Sequence, residues 1–232
     1  MRSPLALRRR IGPLESITYK GGPEGPTLVL FHGYGADGAD LAPIAGELPL
    51  REPINAVFPD GPLSLRIDGV PSGRAWFPID AEAIQKAQMA GKALDWSARE
   101  PEGMADARTA ALEFIKALGV PWDKLILGGF SQGAILAVDL ALRGPQAPLG
   151  LVILSGNLID EKEWRRLAAG RKGLRFLQSH GIADPILGYQ GARKLSELLK
   201  EAGLQGDLIS FEGGHGIPVS VIEAIGKFVE SL

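Results

Sequence analysis

The chain has 232 residues, with 25 Lys and Arg against 27 Asp and Glu, a formal net charge of −2, and no cysteine. That length suits one large α/β domain with a well-buried core, and near-neutral charge removes the electrostatic case for nucleic acid or an anionic membrane as the main partner. The lack of cysteine excludes a Cys nucleophile, disulfides and thiolate metal sites.

The N-terminal segment carries Arg8, Arg9 and Arg10. A secretory signal would continue into an apolar stretch, but Ile11-Gly12-Pro13-Leu14-Glu15 is polar and broken. Residues 1–10 are therefore expected to be a solvated basic arm. No stretch approaches the apolar length of a membrane span, and the expected location is cytoplasmic. Strand character follows at 15–20, then the strongly apolar run Thr27–Phe31, then a short strand at 55–58. The loop Phe31-His32-Gly33-Tyr34-Gly35 leaves the strongest early strand, and its glycines allow an N–H to turn inward. Residues 60–100 break the rhythm with Gly61, Pro62, Gly69, Pro71, Gly73 and Pro78. Trp76, Phe77 and Trp96 lie in the same stretch. Long irregular segments in compact domains usually serve as binding loops or lids, so 60–100 is read as a lid-like insertion.

A helix at 105–118 puts Ala111, Leu112, Ile115 and Leu118 on one face. Residues 124–127 then form a strand leading into Gly129-Phe130-Ser131-Gln132-Gly133, followed by Ala134, Ile135, Ala137, Val138, Leu140 and Ala141, apolar almost all round. Strand, G-x-S-x-G and buried helix make a sharp turn that lifts a serine hydroxyl off the sheet. Further strands are read at 149–154, 174–177 and 207–211, and amphipathic helices at 189–202 and 219–232. Apolar strands alternating with helices predict a mostly parallel sheet covered on both faces. With no repeat, linker or low-complexity tract, residues 1–232 read as a single domain.

A serine hydroxyl needs a base, and the base needs an orienting acid. The chain has three histidines. In the order serine, acid, histidine, His32 comes too early, and His180 precedes most acid candidates, which leaves His215 in the loop Gly213-Gly214-His215-Gly216. Among the carboxylates between, Asp139 lies inside the buried helix, and Asp160, Glu161 and Glu163 open a polar helix. Asp184, in His180-Gly181-Ile182-Ala183-Asp184-Pro185, lies at the sheet edge where chemistry is expected. Oxyanion donors would be the N–H groups of Gln132, after the serine, and of Tyr34, in the early loop.

Together, His32-Gly33-Tyr34-Gly35, Ala75-Trp76-Phe77, Gly129-Phe130-Ser131-Gln132-Gly133, His180-Gly181 with Asp184-Pro185, and Gly214-His215 resemble the phospholipase/carboxylesterase branch of the α/β-hydrolases. That branch includes the acyl-protein thioesterases and small bacterial carboxylesterases. The motifs occur in family order across most of the chain. The resemblance implies an α/β-hydrolase fold, a Ser131–Asp184–His215 triad with an oxyanion site at Tyr34 and Gln132, and Trp76 and Phe77 near the active site, lining an acyl pocket. It implies no cofactor or metal, and a homodimer is a common state among similar members. Two departures stand out: the acid loop lacks the second polar residue that members often carry, and the histidine loop is unusually rich in glycine. The expected activity is hydrolysis of carboxylic esters with short to medium acyl chains. Thioester or lysophospholipid cleavage on the same triad is the alternative, and a non-catalytic ligand-binding α/β-hydrolase is the other class.

Overall fold

The structure, a computed structural model, describes residues 6–22, 25–67, 69–90 and 94–232. Eight strands form one sheet: β1 (Leu7–Ile11), β2 (Leu14–Tyr19), β3 (Thr27–Phe31), β4 (Asn55–Pro59), β7 (Leu125–Phe130), β8 (Gly150–Leu154), β9 (Arg175–Gly181) and β10 (Gln205–Phe211). Their order across the sheet is β1-β2-β4-β3-β7-β8-β9-β10. β1 and β2 pair antiparallel with each other, β2 pairs antiparallel with β4, and every pairing from β4 to β10 is parallel. This is the mostly parallel sheet that the alternation of apolar runs and helices predicts. A separate hairpin, β5 (Leu63–Ile67) with β6 (Val70–Ala75), lies outside it.

The helices are α1 (Gly38–Leu41), α2 (Ile44–Glu47), α3 (Ala81–Met89), α4 (Met104–Leu118), α5 (Gln132–Arg143), α6 (Glu161–Ala168), α7 (Tyr189–Glu201) and α8 (Val219–Ser231). Strand periodicity divides the interior into two cores. Val29, Phe31, Leu125, Leu127, Leu151 and Ile153 face α4, α5, α6 and α7. Their neighbours Leu28, Leu30, Ile126, Val152 and Leu154 face α1, α2 and α8. Successive side chains of a strand point to opposite faces, so a run that is apolar at every position is required when helices cover both sides.

Two expectations need correction. The basic arm is in part a strand: Leu7–Ile11 runs into a turn at Gly12, at φ 54°, and β2 returns to pair along it. Charged side chains suit an edge strand because they discourage pairing with another chain, and Arg8 reaches Asp60 at 3.5 Å. Residues 1–5 of that arm lie outside the described residues. The insertion at 60–100 is also more regular than expected, since it contains β5, β6 and α3. Pro71 and Gly73, poor strand residues, hid the hairpin. Its second strand is tied to the loop after β3, with Gly35 N–H donating to Arg74 O at 2.9 Å and Arg74 N–H to Ala36 O at 2.8 Å. Among the described residues, no helix is long and apolar enough to cross a membrane.

Candidate active site

Ser131 sits between β7 and α5 at φ 55°, ψ −118°, a backbone conformation that costs a non-glycine residue energy. The turn works because its flanks have no side chains. A Cβ on Gly133 would stand 2.0 Å from Phe31 O, and one on Gly129 would stand 2.4 Å from Gly133 O. The G-x-S-x-G pattern is thus a packing requirement between β3, β7 and the first turn of α5. Ser131 N–H donates to Leu154 O at 2.8 Å, and Ser131 O accepts from Ala134 and Ile135 N–H, so the elbow is fixed from both sides. The hydroxyl makes no hydrogen bond to another described residue. Serine–histidine bonds are often loose in free enzymes and tighten with substrate.

The loops after β9 and β10 bring an acid and a base together. Ile182 N–H donates to Phe211 O and Ala183 N–H to Gly213 O, each at 3.0 Å, so the two loops are zipped main chain to main chain. Asp184 Oδ2 lies 2.6 Å from His215 Nδ1. Asp184 Oδ1 accepts the N–H groups of Ile186 at 2.8 Å and Leu187 at 3.0 Å. Burial works against the Asp184 charge, but donors at both oxygens outweigh it, with His180 and His215 foremost. The carboxyl is held well below the usual range. The histidine loop lies beside the serine elbow: Ser155, just past β8, donates to Gly216 O at 3.3 Å, and the Phe130 and His215 rings are 4.8 Å apart.

The loop after β3 passes against the elbow, where a Cβ on Gly33 would lie 3.4 Å from Ser131 Cβ. Neither Tyr34 N–H nor Gln132 N–H has an acceptor among the described residues. The loop is held from below by His32, which is fully buried. Gly61 N–H donates to His32 Nε2 at 2.8 Å, so the proton is on Nδ1, which donates to Gly33 O at 2.7 Å. Burial pushes the His32 pKa below its ordinary value, though the Gly33 carbonyl and Asp60 pull the other way.

Trp76 and Phe77 are each 1% exposed and do not form the open pocket wall expected of them. Trp76 packs edge-on against Phe31 and donates from Nε1 to His32 O at 2.9 Å. Their main chain is what meets the site. Gln132 Oε1 accepts from Trp76 N–H at 2.8 Å, and Gln132 Nε2 donates to Phe77 O at 2.7 Å. The cavity that reaches Asp184 is a different one, about 520 Å³ and lined by Leu94, Asn157, Ile182, Tyr189 and Lys194 among others. A cavity of about 590 Å³ lies at the opposite end of the strands, near Thr27 and Lys124, away from this chemistry.

Residues 13–232 match the model of the phospholipase/carboxylesterase family. The chain belongs to this family. Acyl-protein thioesterase 1 of Candida albicans is 27% identical over 221 residues, covering 88% of this chain and 91% of that protein. Acyl-protein thioesterase 1 of Cryptococcus neoformans is 27% identical over 235 residues, covering 94% and 92%. Among solved structures, esterase PE8 aligns with TM-score 0.74 at 25% identity, covering 99% of this chain and 98% of its own. The Bacillus cereus carboxylesterase, at 20% identity and TM-score 0.70 over 94% of each chain, shows the same fold. The fold is the α/β-hydrolase fold, and the family is one of hydrolases.

In this phospholipase/carboxylesterase chain two contributions escaped sequence reading. One is the Gln132 side chain, which looks like any helix N-terminal glutamine until its two main-chain partners are seen. The other is His180, set aside on chain order, whose Nε2 lies 3.1 Å from Asp184 Oδ2. The signal available for it was spacing: a histidine four residues before the acid in a tight loop.

Proposed function

We propose that the protein hydrolyses carboxylic esters through a serine acyl-enzyme. The observation that carries this reading is a serine on a positive-φ elbow beside a loop in which a buried carboxylate meets a histidine at 2.6 Å. Ser131 Oγ attacks the ester carbonyl carbon while His215 Nε2 takes its proton. Asp184 keeps the other ring proton on Nδ1 and stabilises the imidazolium. The tetrahedral oxyanion receives the N–H groups of Tyr34 and Gln132, each worth roughly 3–4 kcal/mol of barrier. His215 returns its proton to the leaving alcohol as the C–O bond breaks. Water, deprotonated by His215, then attacks the acyl-enzyme and frees the acid and Ser131.

The acyl group meets Tyr34, Ile182 and Ile186, apolar side chains that the oxyanion and acid loops hold exposed. This suits a short to medium chain. A second reading, cleavage of thioesters by the same steps, is favoured by the relatives named acyl-protein thioesterase 1.

The test is turnover of p-nitrophenyl esters and acyl thioesters of increasing chain length by wild type and Ser131→Ala, with fluorophosphonate labelling alongside. Wild type is expected to label and turn over, and Ser131→Ala to lose roughly 10⁴-fold or more in kcat. Turnover retained in Ser131→Ala refutes the reading. The ratio of the two substrate series decides between ester and thioester.

A further inference from the structure

His180 is fully buried near the C-terminal end of β9, paired in register with Ser210 of β10. Its Nε2 lies 2.5 Å from Leu187 O and 3.1 Å from Asp184 Oδ2. Both partners accept, so Nε2 carries a proton and donates to them. Its Nδ1 has no partner among the described residues. A buried ring nitrogen left bare costs folding free energy, and an aliphatic side chain would fill the same space without that cost. What the imidazole adds is an Nε2–H held between Leu187 O and Asp184 Oδ2, which fixes the ring against the loop and aims its proton at the carboxylate.

With that donor, each oxygen of Asp184 has two partners. Oδ1 takes Ile186 and Leu187 N–H, and Oδ2 takes His215 and His180. The first pair fixes one oxygen from the loop itself, whereas the second oxygen is fixed from the sheet. Without His180, the carboxylate plane could swing about the Oδ1 anchor and carry Oδ2 off the His215 Nδ1 axis.

We propose that His180 is a positioning residue: its Nε2–H pins Asp184 Oδ2 in line with His215 Nδ1 and takes up part of the carboxylate charge. This rests on the Ser131–His215–Asp184 reading above. Two consequences follow from one hydrogen bond. Losing it loosens the base, which lowers kcat. It also concentrates charge on Asp184, which holds a proton on His215 more tightly, so the acid limb of kcat/KM moves to higher pH. Tyr189 of α7 also faces His180, ring to ring at 6.2 Å, and its hydroxyl is engaged with Ser210 Oγ at 2.5 Å.

The experiment uses the full chain with His180→Leu, His180→Asn and His180→Gln, beside Ser131→Ala. Folding is checked by circular dichroism, and p-nitrophenyl ester kinetics are followed from about pH 5 to 9. Gln can carry an amide N–H to the Nε2 position, whereas Asn is too short and Leu has no donor. Leu is expected to lower kcat about tenfold, with KM within about twofold, and to raise the acid limb by about half a pH unit. Gln is expected to restore most of kcat and the wild-type limb. If the Leu variant does not fold, Asn reads the same two quantities. A folded Leu or Asn variant with wild-type kcat and an unmoved limb overturns the proposal. So does a loss of kcat with an unmoved limb and no recovery in Gln, which marks a structural role only. Turnover retained in Ser131→Ala overturns the triad reading and this proposal with it, whereas an inactive Ser131→Ala confines any failure to His180.

Discussion

Ser131 is held in its unfavourable φ,ψ by contacts that leave no room for atoms beside it. The most demanding is at Gly133, where a Cβ would fall 2.0 Å from Phe31 O. Gly133→Ala must displace β3 or α5, and it is expected to lower stability by about 2–3 kcal/mol in urea unfolding. Gly46→Ala is the control: nothing lies within 4 Å of its Cβ position, and a change within about 0.5 kcal/mol is expected. Gln132 acts through its side chain as well as its backbone, gripping Trp76 N–H and Phe77 O. Gln132→Ala leaves both main-chain groups buried without partners. It is expected to cost about 2 kcal/mol in the same assay, with slower fluorophosphonate labelling of Ser131. The glycine and serine pattern was legible in the sequence because close backbone approach restricts residue type. The Gln132 partners were not, because they lie more than fifty residues away and are main-chain atoms that any sequence would offer.

The helix that carries the serine is stapled to its neighbours by one buried charge. Asp139, in the middle of α5, is fully buried and accepts from Arg108 of α4, Arg143 of its own helix at 3.0 Å, and Trp164 Nε1 of α6 at 3.0 Å. Arg108 also bonds Glu100, which ties the end of the 60–100 insertion to the same cluster. Replacing one partner leaves a desolvated charge undercompensated, so Arg108→Met is expected to destabilise by about 2–3 kcal/mol, read from the urea midpoint. Elements with strong internal periodicity, such as Thr27–Phe31 and the three long amphipathic helices, were readable from local pattern. β1 and the β5–β6 hairpin were not. The first is an edge strand whose arginines suit solvent, and the second carries Pro71 and Gly73 and is tied by backbone bonds to the loop after β3.

Over the whole molecule, neutral His32 couples the loop after β3 to Gly61 and so to the insertion. An unfolded histidine titrates near 6.5, and burial holds the folded value lower. The unfolded chain therefore takes up the proton first. The His32 contribution to stability is full above pH 6.5 and is lost as pH falls through that value toward the folded pKa. Asp184 follows the same sign in a lower window: its contribution is full above its unfolded value of 3.8 and lost below it. Urea midpoints are expected to be level from about pH 8 to 7 and to fall below 6.5, with a shallower fall in His32→Gln. The sequence by itself determined a mostly parallel sheet covered by helices on both faces, because apolar alternation and turn chemistry are local properties. It also narrowed the candidates for a nucleophile, acid and base to Ser131, Asp184 and His215, because chain order limits which loops share a sheet edge. Only the tertiary structure decided that Trp76 and Phe77 are core rather than pocket wall, that residues 7–11 close the sheet, and that His180 shares Asp184 with His215. Burial and pairing across the fold depend on which distant segments meet, and local sequence does not encode that.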